Sequence, residues 1–485
     1  MDLKLSSILA SILILVSTTL VVKLLNWVWF RPKKLEKLLR KQGLNGNPYR
    51  LLLGDMQDFG KAMKTEQPKT LKLSDHLPPH ILPYYHDIID KYGRRSFVWF
   101  GPSPRVNVAD PELIREILSK PGLFQKPLPD PIGETIVGGL LFLEDEKWAK
   151  HRKIINQAFH MEKLKNMIPA MFLSCSKMIE KWEASISSCG SSQEIDVWPS
   201  LEDLSGDVIS RTAFGSSYEE GRRIFELQKE QVKLVLHLLQ FSFIPGWRGK
   251  AMESDDGEIM RNDLLGILME SNFREIQEHG NKNVGLSIED VIEECKLFYF
   301  AGKETTANLL VWTMVLLSKH QDWQARAREE VLQVFGKKQP TFDGLHQLKT
   351  VTMIFQEVLR LYPPAPLIIR APTKTLKLGS TIIPVGVQLT LLIGLLHHDP
   401  NIWAMMRRNS SQRDFRRNFE CNKDSVLLHT VQLRSSVCVG QNFAMIEAKM
   451  ALANIQHFSF EFLFIACSLS NYDFATPVWC SFGCA

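Results

Sequence analysis

Three short motifs hold the residue types in this sequence that could do chemistry. The first is Cys438-Val-Gly440, which opens Gln441 to Ala453, a run with an amphipathic helical pattern. A thiol at a helix N-terminus faces free N–H groups and the positive end of the helix dipole. Both favour thiolate, the form that ligates a soft metal such as iron. Gly440 permits a tight turn and close approach of the backbone. The second motif is Phe300-Ala-Gly-Lys-Glu-Thr-Thr-Ala307, inside a long helical pattern. Gly302 costs a helix interior about 1 kcal/mol relative to Ala, which a flat ligand pressed against the helix would offset. Glu304 and Thr305 supply a carboxylate and a hydroxyl, the parts of a proton relay. A glycine that merely packs an ordinary buried helix is the competing reading, and this motif alone leaves both open. The third is Glu357-Val-Leu-Arg360, whose acid and base share one helix face at i, i+3.

The elements that must position these residues follow from pattern. Ser287-Ile-Glu-Asp290 is a capping box that starts the long helix, with apolar residues continuing to about Leu317. Tyr362-Pro-Pro-Ala-Pro366 ends the Arg360 helix and puts extended chain beside it. Strands are expected at Arg95–Phe100 and Arg105–Ala109, and a strand–turn–strand at Leu378–Leu389. Leu5 to Val22 is an uncharged run of 18 residues, long enough to span a bilayer as a helix. Trp27, Trp29 and Phe30 suit an interfacial belt. Six basic residues between Arg31 and Lys41 follow, against Lys4 alone before the run, which puts the large domain in the cytosol. With no small-residue cleavage site after it, the segment reads as a retained anchor. The expected division is 1–30 as membrane anchor, 31–50 as basic linker and 51–485 as one domain, mainly α with a small β part. Within that domain 404–436 lose apolar periodicity, and the tail 463–485 shows no helix or strand period.

Composition narrows the classes. An apolar share of 45% and a charged share of 23% describe a globular chain with a sizeable core. A net charge of +5 is too mild to suggest a dedicated nucleic-acid binder, so the expected partners are a membrane and small molecules. The eight cysteines contain no C-x-x-C pair and fit neither a zinc ribbon nor a secreted disulfide scaffold. His397-His398-Asp399 lacks the second histidine cluster that a di-iron site needs. No G-x-G-x-x-G or phosphate loop occurs, so electrons for any redox step come from a partner.

In chain order and spacing, these motifs resemble the cytochrome P450 superfamily. Ala301-Gly302-x-Glu304-Thr305 is similar to its oxygen-activating helix motif, Glu357-x-x-Arg360 to its Glu-Arg pair, and Cys438-x-Gly440 to the core of its haem loop. Trp148-Ala-Lys-His-Arg152 resembles the helix whose Trp and Arg meet a haem propionate, and Arg370 lies where the family often places another propionate-binding arginine. A finer resemblance, to the plant group that includes secologanin synthase, rests on the stretch from Leu38 to Leu52, on Phe243-Ile-Pro-Gly-Trp-Arg and on Asp263 to Asn272. The resemblance implies the cytochrome P450 fold with an N-terminal transmembrane anchor helix, single-pass in the endoplasmic reticulum membrane. It implies haem (heme, iron protoporphyrin IX) held by the Cys438 thiolate, with Thr305 and Glu304 delivering protons. It also implies O2, a hydrophobic small-molecule substrate of the plant terpenoid class, and electrons from NADPH through cytochrome P450 reductase.

The sequence also departs from the family pattern. The haem loop begins F-x-x-G-x-R, yet Val431, Arg434 and Ser436 stand at those positions. No clear P-E-R-F segment follows Trp403, and the stretch between Trp247 and Asn262 is short. The tail after Phe462 does not resemble the family's last strand pair. Two readings therefore stand: a haem-thiolate monooxygenase, or a catalytically inactive relative without stable haem binding. Clean losses of pattern between intact flanks suggest shifted reading frames. Translating the nucleotides for 404–436 in another frame should restore a P-E-R-F-like segment and the start of the haem loop.

Overall fold

The computed structural model describes residues 2–66, 70–71, 81–127, 138–189, 192–215, 285–399, 438–456, 458–466 and 478–484, with single helical residues between 227 and 277. Its longest helix, Ile288–Lys319, starts as the capping box requires. Asp290 N–H donates to the Ser287 hydroxyl at 3.1 Å, and Ser287 N–H donates to the Asp290 carboxylate at 3.0 Å. Such a cap is worth about 1 kcal/mol. Beyond Lys303 this helix is apolar on nearly every side, so it is buried by other helices rather than by one. Leu310, Met314 and Val315 sit in the main core with helices Met161–Cys189, Val197–Phe214, Lys349–Leu361 and Gln441–Ile455. Trp312 stacks on Tyr362, ring centroids 3.9 Å apart, which holds the end of the Arg360 helix against it.

The second core lies under a five-stranded sheet in the order β2 (Phe97–Phe100), β3 (Ser103–Val108), β9 (Gln388–Leu391), β6 (Ile368–Pro372), β4 (Phe124–Gln125). Strands β2 (Phe97–Phe100), β3 (Ser103–Val108) and β9 (Gln388–Leu391) fall where alternation placed them. β3 and β9 run parallel, and β6 (Ile368–Pro372) pairs antiparallel with β9, opposing Arg370 to Leu389. The expected strand–turn–strand at 378–389 divides in two: β7 (Leu376–Leu378) and β8 (Thr381–Ile383) form their own hairpin, and β9 joins the large sheet.

Two expectations are corrected. The stretch 31–50 is no linker: Arg31–Lys41 is helical, and Leu35, Leu39, Leu44 and Tyr49 are buried in the sheet-side core. Leu35 and Leu39 at i, i+4 make a buried stripe under an otherwise charged surface. The tail does have strands, β10 (Phe458–Ala466) and β11 (Val478–Cys484). They pair with each other and with β1 (Thr70–Leu71) and β5 (Ser192–Asp196) in a sheet ordered β1-β10-β11-β5. The alternation Phe458-Ser-Phe-Glu-Phe carries that period, just before the point at which the tail lost its pattern. Residues 404–436, with Val431, Arg434 and Ser436, lie outside the described residues, as does the short stretch after Trp247.

Candidate active site

Thr305 is exposed on its helix, and its hydroxyl donates to the Ala301 carbonyl at 2.7 Å. Glu304 is half-buried with Oε1 3.9 Å from Lys303 Nζ, and Lys303 in turn reaches Glu202 at 4.0 Å. Gly302 faces a neighbouring helix. A Cβ there would fall 2.9 Å from Ile209 Cδ1, so this glycine lets Val197–Phe214 close onto the Thr305 helix. That is the packing reading, and it accounts for the cost of the glycine without a ligand.

Helix Asp145–Ala158 carries Trp148 and Arg152 one turn apart on the same side. Trp148 packs half-buried against the main core. Arg152 is half-buried too; desolvation pushes its pKa down, against an opposing influence from Cys438 where that thiol ionises. Arg370, on β6, is desolvated in the same way, with Glu144 offsetting part of the shift, and its Nη1 donates to the Ile369 carbonyl at 2.9 Å. Among the described residues neither arginine has a carboxylate within 4 Å.

Cys438 is solvent-accessible and immediately precedes its helix, Gln441–Ile455. The Gly440 backbone N–H and the positive charge of Arg152 both act to lower the thiol pKa. Burial nonetheless dominates and leaves that pKa raised. That direction opposes the helix-end preference for thiolate, with lost hydration the larger influence in the absence of a metal cation. Gly440 itself has φ −86°, which any residue adopts, and an added Cβ would come no closer than 3.8 Å to Phe159. The turn here is therefore not one that only glycine allows. Phe159 joins the three elements, its ring lying edge-on to Phe298 at 5.6 Å and to Phe443 at 6.1 Å.

The Glu357–Arg360 pair is largely buried rather than solvated. Arg360 Nε and Nη2 donate to the two Glu357 oxygens at 2.7 and 2.5 Å, and Nη1 donates to the His397 carbonyl at 2.9 Å. His397 Nδ1 returns a bond to the Arg360 carbonyl at 3.0 Å, and His398 Nε2 bonds the Leu361 carbonyl at 2.7 Å. These histidines staple a turn.

Two groups escaped the sequence reading. His151 Nδ1 lies 2.7 Å from Glu294 Oε1, both buried, clamping the Arg152 helix to the Thr305 helix. Glu447 is buried, and desolvation pushes its pKa well above the usual carboxylate range. The Ser205 and Thr306 hydroxyls lie toward it without reaching good hydrogen-bond geometry. A lone acid in Ala444-Met-Ile-Glu-Ala448 was the available signal. For His151 the partner is 143 residues away, beyond any local pattern.

Cys438 precedes its helix with the positive charge of Arg152 nearby, and Glu304 and Thr305 lie together on the long helix. A family model described as "Cytochrome P450" matches residues 71–247 and 247–407, and the chain belongs to the cytochrome P450 family, an oxidoreductase of the monooxygenase kind. Among relatives, it is 49% identical to Cytochrome P450 72A397 of Kalopanax septemlobus, over 90% of each chain. It is 47% identical to Cytochrome P450 72A15 of Arabidopsis thaliana, over 95% of this chain and 94% of that one. It is 46% identical to the 7-deoxyloganic acid hydroxylase of Catharanthus roseus, over 95% of each. The family-model match breaks at Trp247 and ends at Arg407, so Cys438 lies beyond it.

Proposed function

We propose that this chain is a membrane-anchored haem-thiolate monooxygenase that oxidises a hydrophobic small molecule of the plant terpenoid class. The observation that carries the reading is the exposed Cys438 thiol immediately before the helix Gln441–Ile455, with the positive charge of Arg152 acting on it. The donor set suits haem: one sulfur for iron, and two desolvated guanidinium groups, Arg152 and Arg370, for two anionic propionates. When bound, haem would supply activation of O2, with thiolate donation favouring O–O cleavage. Cys438 must lose its proton to ligate iron, and a metal cation offsets the burial that otherwise keeps the thiol neutral. Trp148 and Arg152 would fix one edge of the group and Arg370 another. Thr305 holds its hydroxyl proton on the Ala301 carbonyl, so giving that proton away requires the hydroxyl to rotate and be resupplied. Glu304, next to it in sequence and half-buried, is the group to resupply it. Substrate class rests on the 7-deoxyloganic acid hydroxylase, two electrons would come from NADPH through a separate reductase, and the helix near the N-terminus supports single-pass anchoring in the endoplasmic reticulum membrane.

A haem stain and a reduced carbon-monoxide difference spectrum test this directly. A thiolate-type spectrum is expected, and absence of haem from folded protein overturns it. That second outcome is the alternative reading, an inactive family member, which the end of the family match at Arg407 and the residues at Val431, Arg434 and Ser436 favour.

A further inference from the structure

The helix Asp145–Ala158 holds Arg152 where its charge acts on the Cys438 thiol. Its Ile154, Ile155 and Ala158 are fully buried in the main core. Apolar burial is non-directional, so these contacts fix the depth of the helix better than its roll about its own axis. Roll matters for Arg152. At the side-chain radius of about 6 Å, a turn of about 20° displaces an atom by about 2 Å, which is enough to lose a hydrogen bond.

His151 fixes that roll. It adjoins Arg152, about 100° round the helix, and is 1% exposed. Its Nδ1 lies 2.7 Å from Glu294 Oε1 and its Nε2 lies 3.7 Å from Asp290 Oδ1, two acids one turn apart on Ile288–Lys319. An imidazole set between two carboxylates is oriented at both nitrogens. Glu294 is itself held in place. Gly139 has φ +60°, and a Cβ there would fall 2.7 Å from Glu294 Oε2, while a Cβ on Gly138 would collide with Glu293 Oε2. The backbone of 138–139 therefore rests on both carboxylates, closer than any residue but glycine permits. The same turn leads into the Arg152 helix. Lys126 Nζ donates to the Leu140 and Leu143 carbonyls at 3.0 and 2.9 Å, and Lys126 N–H donates to Glu144 Oε1 at 2.8 Å. The approach to the helix is thus pinned by Lys126, and its middle by Glu294.

We infer that His151 is a positioning residue for haem binding: bonded to Glu294, it sets the roll of its helix so that Arg152 meets a haem propionate. This rests on the haem reading of Cys438, Arg152 and Arg370. The test follows loss of hemin from the full, hemin-loaded chain to excess apomyoglobin, read from the Soret band. His151→Phe should speed the loss about 10-fold, the lower end for removing the outer partner of a binding group. That variant leaves Glu294 buried without its partner, so the paired variant His151→Phe/Glu294→Leu is measured beside it. Removing both polar groups at similar volume should keep a near-native denaturant midpoint, while hemin is still lost about 10-fold faster. In an Arg152→Ala background His151→Phe should add nothing, since the group it positions is gone. A wild-type loss rate from the paired variant overturns the inference. So does an equal speeding by His151→Phe with Arg152 present and absent, which would make His151 a general prop of the fold. A wild-type chain that takes up no hemin ends the haem reading and the inference with it, whereas hemin held equally well by every variant ends the inference alone.

Discussion

Arg360 and Arg152 are both half-buried guanidinium groups, yet their hydrogen bonds are used in opposite ways. Arg360 spends its donors on Glu357 and on the His397 carbonyl, and its neighbours answer with bonds of their own. Arg152 has no carboxylate within 4 Å among the described residues, and ionisation of Cys438 is what would offset its desolvation. The first region is complete as it stands, and changing it should cost stability. The second has a desolvated cation and an accessible thiol whose binding capacity is unspent, so changing it should cost ligand. A buried charge that is already answered marks framework, and one that is unanswered marks a site.

The sharpest division comes from exchanging the two damages. Cys438→Ser should abolish the thiolate-type carbon-monoxide spectrum while leaving the denaturant midpoint nearly unchanged, because a neutral hydroxyl cannot replace a soft anionic ligand. A native spectrum from that variant would remove Cys438 from the site. Arg360→Ala should do the reverse, since it leaves Glu357 buried without its cation. A loss of about 3–5 kcal/mol in unfolding free energy is expected, with a normal spectrum per mole of haem still bound. Less than about 1 kcal/mol would make the pair a surface one.

Thr305→Ala is smaller in free energy and leaves both regions standing. Product formed per NADPH should fall about 100-fold, the lower end for loss of a general acid, with reducing equivalents recovered as peroxide and substrate binding retained. Equal coupling in both proteins would end the relay assignment. The mildest effect is on pH. Burial, with the charge of Arg360 second, pushes the His397 imidazole down to about 3. The unfolded chain titrates near 6.5, so it binds the extra proton between those values. Stability is therefore full above about 6.5 and declines as pH falls toward 3, by at most about 1.4 kcal/mol per pH unit. His397→Gln should flatten that limb of an acid-unfolding series, and an unchanged slope would assign it to other groups.

What could be read from sequence was what local chemistry fixes. The capping box at Ser287, the helix after Cys438, the strands near Phe97 and Val106 and the i, i+3 spacing of Glu357 and Arg360 all depend on neighbours a few residues away. The depth of a group in the fold does not. Cys438 shows the helix-end geometry that its sequence implied, but desolvation from other elements reverses the expected effect on its pKa. Gly302 left ligand and packing readings open in sequence because the opposing Ile209 is 93 residues earlier in the chain. The helix Arg31–Lys41 read as linker because its charges outnumber the two leucines that bury it. The pattern breaks after Trp247 and after Trp403 agree in place with the break and the end of the family match.

The reciprocal bonds between Arg360 and His397 carry a consequence for how the molecule opens. They join positions 37 residues apart, and β6, β7, β8 and β9 all lie between them. A loop clamped at its base has already paid its closure entropy, so its strands have little to gain by detaching one at a time. Under native conditions the amides of 368–391 should therefore exchange with solvent as one cooperative unit. Arg370, the candidate propionate-binding arginine of β6, and the β7–β8 hairpin would then be released in the same event.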